Sequence, residues 1–344
     1  KRQPGSTLKP LAVYTPALEE GYEIWDKLSD QPLNLNGYQP MNYDRKYRGQ
    51  VSMYNAVKDS LNVPPVWLLN KIGMNDGYNA VERFGIPLTN NDFSPSLALG
   101  GMSEGVSPLI MAEAYTVFAN DGIKVDAHSI QRIEDPDGVV IGEWKQRTTN
   151  VTNAAIAQKM TYMLKGVVEE GTGTKAQVEG LDVAGKTGST QLPFANSTGT
   201  KDHWFVGFTP EIVGAVWLGY DQTDENHYLI GSSGATSPKL FKEIISGSIS
   251  EFSREKFNLT AIDKQMEKHL KEEEKQRKNA KKRNQNQYTD NDDEEDKNDK
   301  KDRKNREKEA KKNEKNKDKE EKQNGKGNGK GGKEDKDKDD DDND

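Results

Sequence analysis

Residues 2–10 read RQPGSTLKP and place a serine, Ser6, three residues before a lysine, Lys9. Ser6 follows a Pro-Gly pair, which is typical of a tight turn. Pro10 has no N–H to donate to the carbonyl of Ser6, so it is tolerated only in the first turn of a helix. The pattern therefore predicts a helix that begins at Ser6 and runs to about Glu19, with Ser6 and Lys9 on one face.

This serine–lysine pair is suited to nucleophilic catalysis. A serine hydroxyl is a poor nucleophile until a nearby base takes its proton. Lys9 can be that base if burial beside other cations lowers its pKa. The alternative is that Ser6 simply caps the helix. A second Ser-x-x-Lys, Ser253–Lys256, has no preceding turn and charged neighbours, and we interpret it as a surface coincidence.

The composition excludes several other kinds of site. The 344 residues contain no cysteine, which rules out thiol catalysis, disulfides and thiolate metal ligands. The four histidines are scattered and form no pair at ligand spacing. No run of eighteen apolar residues predicts a membrane-spanning helix. We therefore expect neither a metal ion nor another cofactor, and no Ser-His triad.

The character of the chain changes near residue 264. Residues 264–344 hold 27 of the 50 basic and 26 of the 57 acidic residues, and only five from the set AVILMFWYC. Such a segment cannot bury enough apolar surface to offset its ordering entropy, so the sequence predicts a disordered, highly charged, low-complexity tail. The remaining 23 basic and 31 acidic residues give 1–263 a net charge of −8, which argues against a nucleic-acid partner. We place a folded domain at 1–250 and a linker at 251–263.

Hydrophobic periodicity predicts helices first and a sheet later in the domain. Helices are expected at 52–62, in two short segments that follow, at 107–122, at 154–168 and at 238–250, and a hairpin turn at 135–138. Three strands in close succession, 181–190, 203–208 and 212–220, predict an antiparallel meander. Helices followed by a sheet and a covering helix indicate an α+β domain.

Two further motifs accompany Ser6 and Lys9. Ser60-Leu61-Asn62 is the sole Ser-x-Asn of the chain, and Lys186-Thr187-Gly188 is the sole Lys-Thr-Gly. Each has a structural alternative, because Ser60 and Asn62 could be hydrogen-bonding residues at a helix end and Lys186 a solvated strand charge.

In this order, S-x-x-K, S-x-N and K-T-G form a known signature. On these motifs, residues 1 to about 250 resemble the transpeptidase domain of a class A (bifunctional) penicillin-binding protein from a Gram-positive bacterium. The resemblance extends over RQPGSTLKP, NYDRKYRGQVS, SLNVPPV, GGMSEGVSPLIMAEAYTVFANDG, EEGTGTKA, AGKTGST and DHWFVGFTP. It implies the penicillin-binding, serine β-lactamase-like fold, an antiparallel sheet covered by helices with a helical subdomain. The family places strands before S-x-x-K, and only five residues precede Ser6, so we expect these N-terminal strands to be missing.

The resemblance also implies roles for individual residues. Ser6 is the nucleophile, Lys9 its base, and Ser60 a proton relay to the leaving amine. Lys186 supplies positive potential beside Ser60. The substrate-binding residues implied are Asn62, Thr187, Gly188 and Ser189, with the N–H groups of Ser6 and Ser189 as an oxyanion hole.

The function implied is that of a D,D-transpeptidase, which cross-links peptidoglycan stem peptides through a Ser6 acyl-enzyme and is acylated by β-lactams. A D,D-carboxypeptidase or serine β-lactamase would use water in the second step, and a non-catalytic cell-wall-binding protein is the alternative outside enzymes. The expected partners are D-Ala-D-Ala donors, amine acceptors and β-lactams, with anionic wall polymers for basic runs of the tail such as 281–283. The expected location is the extracytoplasmic face of the membrane, the anchor and the glycosyltransferase domain not being in this sequence.

Overall fold

A computed structural model describes residues 1–194, 199–248 and 254–323, with the backbone alone for 281–297 and 316–323. The chain divides into two units, Lys1–His269 and Leu270–Asp344. The helices of the described residues are α1 Thr15–Glu19, α2 Met53–Lys58, α3 Val63–Ile72, α4 Met74–Arg83, α5 Pro108–Ala119, α6 Ala154–Glu169, α7 Ser233–Gly247 and α8 Thr260–Gln323. The strands are β1 Lys27–Asp30, β2 Gly49–Ser52, β3 Ile123–Val125, β4 Arg132–Glu134, β5 Val140–Glu143, β6 Thr148–Asn150, β7 Ala184–Thr190, β8 Gly199–Thr200, β9 Asp202–Phe208, β10 Val213–Gly219 and β11 Leu229–Ile230.

The main sheet has the strand order β10-β9-β7, and both pairings are antiparallel. This confirms the predicted meander. Side chains alternate between the two faces of a strand: Trp204 and Val206 enter the larger core, whereas Phe205 packs with Phe241 of α7 in a second cluster. Strand β7 is an edge of this sheet, which leaves its outer side for the N-terminal segment.

That segment is helical from Gly5 to Glu19, as predicted, but its winding changes twice. Gly5–Leu8 is a 3₁₀ turn, Pro10–Tyr14 is a single π-helical turn, and α1 follows. The wider turn is closed by the N–H and hydroxyl of Thr15, which both donate to the carbonyl of Pro10. Pro10 cannot donate to an earlier carbonyl, so the ordinary α-helical ladder cannot pass through it.

Helices α2 to α6 occur where periodicity placed them. Ser52 and Ser107 accept the N–H groups of Asn55 and Ile110, which caps α2 and α5 as their position before apolar runs suggests. Helix α5 is buried on most sides. The turn at 135–138 joins the antiparallel strands β4 and β5, and this confirms the hairpin. No helix among the described residues is long and apolar enough to cross a lipid bilayer.

Helix α7 begins five residues earlier than predicted. Pro238 was expected in the first turn, but α7 starts at Ser233 with Pro238 inside it. The carbonyl of Ser233 is satisfied locally by the hydroxyl of Ser237, at 3.2 Å. Small hydroxyl side chains therefore supply hydrogen bonds in the turn that precedes the proline.

The predicted linker, 251–263, contributes to the core where it is described. Leu259 and Ile262 are buried and Phe257 packs beside the larger cluster. Packing of these apolar side chains explains why the first unit extends to His269. Residues 251–253, and with them Ser253 of the second Ser-x-x-Lys, lie outside the described residues.

The second unit is rich in charged residues, and its described part is helical. Its described part, from Leu270 to Gln323, continues α8. Lys, Glu, Gln and Arg are strong helix formers, the helix contains no Gly or Pro, and pairs such as Glu274–Lys278 add support one turn apart, at 2.7 Å. Its described side chains are exposed apart from the half-buried Glu273. The side chains of 281–283 and all of 324–344 lie outside the described part.

Candidate active site

Ser6 lies in a turn that is packed against the outer edge of β7. Gly5 has φ +55°, and a Cβ there would lie 2.6 Å from the carbonyl oxygen of Ser189. A Cβ on Gly100 would lie only 2.1 Å from the carbonyl oxygen of Gly5. The turn is therefore held between β7 and Gly100 so tightly that neither glycine can carry a side chain. Ser6 itself is half-buried.

Buried aromatic side chains fix the backbone on either side of Ser6. The indole N–H of Trp204 donates to the carbonyl of Gln3 at 2.9 Å, and the Tyr115 hydroxyl donates to the carbonyl of Thr7 at 2.7 Å. Trp204 comes from β9 and Tyr115 from α5. Two rigid elements thus hold the segment that presents the Ser6 hydroxyl, which is what a nucleophile needs.

Lys9 is fully buried and its ammonium group points at the Ser-x-Asn motif. It donates to the carbonyls of Ser60 and Leu61 at 2.9 and 2.7 Å and to Oδ1 of Asn62 at 2.8 Å. Three acceptors match the three donors of an ammonium group. Burial, and then the charge of Lys186, hold the pKa of Lys9 well below its ordinary value.

Ser60 lies between the two lysines. Its backbone has a positive φ of +54°. Helix α2 ends two residues before it, at Lys58, and the chain turns here toward α3. Lys186 donates to its hydroxyl oxygen at 2.6 Å, while Lys9 binds its carbonyl. A non-glycine residue rarely adopts this backbone conformation, and it persists where surrounding contacts enforce it.

Lys186 reaches Ser60 from β7. Its side chain is fully buried, and burial lowers its pKa to about 7. It also donates to the carbonyl of Thr187 at 3.1 Å. The described contacts of Lys186 contain no carboxylate that would offset the cost of burying its charge.

The rest of the Lys-Thr-Gly segment contacts two other elements. The Thr187 hydroxyl is 2.7 Å from that of Thr172, and the Ser189 hydroxyl donates to that of Ser233 at 2.8 Å. A Cβ on Gly188 would lie 2.6 Å from the carbonyl oxygen of Pro4. The absence of a side chain at Gly188 thus allows the turn that carries Ser6 to pack closely against β7.

The three motifs predicted from sequence therefore meet, although up to 182 positions separate their residues. Three residues outside the motifs contact the predicted site residues: Asn42 contacts Asn62, Thr172 contacts Thr187 and Ser233 contacts Ser189. Asp30 joins them through Asn42. Asn42 and Thr172 fall in stretches that carry the family resemblance, NYDRKYRGQVS and EEGTGTKA, and this was the available signal. The described residues include no group of three or more His, Asp or Glu side chains placed to hold a metal ion.

Comparison with known proteins gives consistent matches. Residues 1–246 match the family described as the penicillin binding protein transpeptidase domain. The chain is 45% identical over 247 residues to penicillin-binding protein 1F of Bacillus subtilis, covering 71% of this chain and 34% of that protein. It is 40% identical over 245 residues to penicillin-binding protein 2a of Streptococcus pneumoniae, covering 71% and 33%. The solved structure of penicillin-binding protein PonA1 from Mycobacterium tuberculosis aligns with a TM-score of 0.67 at 25% identity, over 74% of this chain and 71% of that one. This chain spans about a third of the length of the two curated relatives.

Proposed function

The chain belongs to the penicillin-binding protein transpeptidase family, and from that premise we propose that it is the D,D-transpeptidase domain of a bifunctional penicillin-binding protein. Its substrates are peptidoglycan stem peptides that end in D-Ala-D-Ala, and β-lactams acylate the same serine. One observation supports this most strongly. Ser60 is bonded by Lys9 through its carbonyl and by Lys186 through its hydroxyl, beside the turn that carries Ser6.

In the first step, the Ser6 oxygen attacks the carbonyl carbon between the two D-alanines. Lys9 in its neutral form takes the hydroxyl proton, and its low pKa makes that form available. The C–N bond then breaks, and the terminal D-alanine leaves as an amine after it receives a proton through Ser60. The proton is the one that Lys9 took from Ser6, and the 2.6 Å hydrogen bond that Lys186 donates to the Ser60 oxygen leaves the Ser60 O–H free to donate to the leaving nitrogen.

In the second step, an amine of a neighbouring stem peptide attacks the acyl carbon. A new C–N bond forms, the ester bond to Ser6 breaks, and the proton from the amine returns to the Ser6 oxygen. The atoms balance without any further reactant. The two steps exchange one amide for another, so the cross-link needs no external energy source.

The negative charge that develops on the carbonyl oxygen needs donors in place before the reaction. We assign these donors to the N–H groups of Ser6 and Ser189. The two residues lie close together, because Gly5 packs against the backbone of Ser189. Two such donors contribute several kcal/mol to lowering a barrier. Thr187 and Ser189 hydroxyls, with the charge of Lys186, bind the terminal carboxylate, and Asn62 binds the substrate amide.

The domain itself corresponds to 1–250 in this proposal, and the helical second unit lies outside the catalytic machinery. Acting on peptidoglycan places the domain on the extracytoplasmic face of the membrane. Contact between basic runs of the second unit and anionic wall polymers remains a prediction from composition.

Labelling with fluorescent penicillin tests the proposal directly. We expect one covalent adduct, located on Ser6 by mass spectrometry of peptides, and its loss in Ser6→Ala. Ser246→Ala, a half-buried serine near the end of α7, is the matched control and should label normally. An adduct on another residue, or normal labelling of Ser6→Ala, contradicts the assignment. A stem-peptide donor with a D-amino acid acceptor should then give the condensed product, whereas a carboxypeptidase or β-lactamase gives only hydrolysis.

A further inference from the structure

Asn42 is a buried amide in the connection between β1 and β2 whose hydrogen-bonding groups are all occupied. Its Oδ1 accepts the N–H of Asn62 at 2.8 Å and the N–H of Val63 at 3.3 Å. Its Nδ2 donates to Oδ1 of Asp30 at 2.7 Å and to the carbonyl of Lys46 at 2.8 Å. Only 3% of its surface is exposed. The two N–H groups it accepts stand at the start of α3, where a helix has no internal acceptor for them.

Asp30 determines which way the Asn42 amide points. Its carboxylate is fully buried and also accepts the N–H of Arg48 at 2.9 Å, with the guanidinium of Arg48 at 3.7 Å. An ionised carboxylate only accepts hydrogen bonds, so the NH₂ of Asn42 must face it. The oxygen of Asn42 is then directed at Asn62 and Val63. A flipped amide would set donors against donors at Asn62 and Val63 and acceptors against acceptors at Asp30 and Lys46.

The same connection also holds the side chain of Asn62. Its Nδ2 donates to the carbonyl of Met41 at 2.8 Å, and its Oδ1 accepts from Lys9 at 2.8 Å. A continuous series of hydrogen bonds therefore runs from Asp30 through Asn42 and Asn62 to Lys9. Its first two members lie outside the three sequence motifs.

We propose that Asn42, oriented by Asp30, is a positioning residue that fixes Asn62 and thereby the acceptors that hold Lys9. This inference rests on the proposed function, in which Lys9 takes the Ser6 proton. Asn42 touches no reacting atom in this account. It acts through Asn62, and its loss leaves two buried N–H groups and one carboxylate oxygen without partners.

Exchanging the two side chains gives a test that separates positioning from simple stability. Asn42→Asp alone sets two buried carboxylates against each other, and Asp30→Asn alone sets an amide against an amide that cannot satisfy both Asn42 and Arg48. The double variant, Asp30→Asn with Asn42→Asp, restores the pattern. The new amide on β1 would donate to the new carboxylate in the connection and accept from Arg48, and that carboxylate would accept from Asn62 and Val63. The bond to the carbonyl of Lys46 is replaced by two facing oxygens, and the charge pair between residue 30 and Arg48 is lost.

The acylation rate constant for fluorescent penicillin is measured at saturating penicillin, together with a melting curve for each variant. We expect each single variant to acylate at least tenfold more slowly than the unmodified chain, and the double variant to recover most of that loss. Asn34→Asp makes the same change at an exposed asparagine of the same connection and should leave the rate unchanged. Hydrogen exchange at the Asn62 and Val63 amides should be faster in the single variants and slowed again in the double variant.

Two results would overturn this inference. One is a single variant that melts cooperatively and acylates at the unmodified rate, and the other is a double variant no faster than the slower single variant. If the single variants do not fold, the double variant and hydrogen exchange still decide the question. Failure of the proposed function itself looks different, because the unmodified chain would then take up no penicillin on Ser6.

Discussion

Lysine occurs in two regions of this molecule under opposite conditions. In the cleft, Lys9 and Lys186 are fully buried and their pKa values are lowered by burial. On α8, Lys278 is 70% exposed and paired with Glu274 at 2.7 Å. Burying a charge is costly and favours the neutral amine, which is the form that Lys9 needs to act as a base in the proposed function. An exposed ion pair is surrounded by water and contributes little to stability.

The partners of these lysines differ as much as their burial. In their described contacts, Lys9 and Lys186 donate to carbonyls, an amide and a hydroxyl, none of which is negatively charged. A carboxylate in the same place would favour the ammonium form and raise the pKa. The site therefore provides hydrogen-bond acceptors for the side-chain nitrogens of both lysines but, in these contacts, no negatively charged group to pair with them. The comparison shows that partner type, as well as burial, distinguishes the two lysines of the candidate active site from Lys278 on α8.

The largest expected effect comes from removing one cleft lysine. Lys186→Ala should slow acylation by penicillin by two or more orders of magnitude, because Ser60 and the substrate carboxylate both lose its positive potential. Stopped-flow labelling of Ser6 measures this. Lys278→Ala on α8 is the matched control and should acylate at the unmodified rate. Equal rates in a folded Lys186→Ala protein would break the comparison between the two regions.

An intermediate effect is expected from shortening the chain at two places. Deletion of 260–344 removes the buried Ile262 and the partly buried Met266, and burial of such side chains contributes about 2–5 kcal/mol each. The melting temperature should fall by several degrees. Deletion of 270–344 removes a helix whose described side chains are almost all exposed and should change it by about 1 °C or less. If both deletions melt alike, the first turns of α8 do not contribute to the core.

A further expected effect is a dependence of stability on pH. The folded protein holds the pKa of Lys186 at about 7, whereas an unfolded lysine has a pKa of about 10.4. Between these values the unfolded state binds more protons, so rising pH favours the folded state. The unmodified chain should therefore gain stability relative to Lys186→Met as pH rises from about 7 to about 10. Urea titrations of both proteins at several pH values measure this, and a constant difference would show that Lys186 titrates normally in the folded state.

Much of the fold could be predicted because it rests on local patterns. Strands β7, β9 and β10 and the apolar helix α5 can be recognised from the hydrophobic pattern of the sequence. Ser52 and Ser107 stand at positions typical of a helix N-cap. The start of α7 could not be read in this way. Pro238 is an ordinary first-turn residue by propensity, and only hydrogen bonds from neighbouring hydroxyls show that the helix begins before it.

The site divides along the same line. Ser6, Lys9, Ser60, Asn62 and Lys186 could be selected because each motif has its own short spacing. Asn42 and Ser233 could not, since their partners Asn62 and Ser189 lie 20 and 44 positions away. A single polar residue in an irregular connection carries no periodic signal. Its importance appears only when burial and the complete set of its hydrogen bonds are known.

The π-helical turn at Pro10–Tyr14 has a mechanical meaning for this site. An α-helix rotates by about 100° per residue, so one residue more or less between two points changes their relative azimuth by that angle. The π-helical turn adds one residue between the turn that carries Ser6 and helix α1. The turn is packed against β7, and α1 is fixed in the core by the buried Ala17 and Leu18. The extra residue therefore sets the rotation of α1 about its axis relative to the turn that carries Ser6. Deleting one residue there would break either the packing of the Ser6 turn on β7 or the packing of α1 in the core. We therefore expect these five positions to be intolerant of length change even where their side chains can vary.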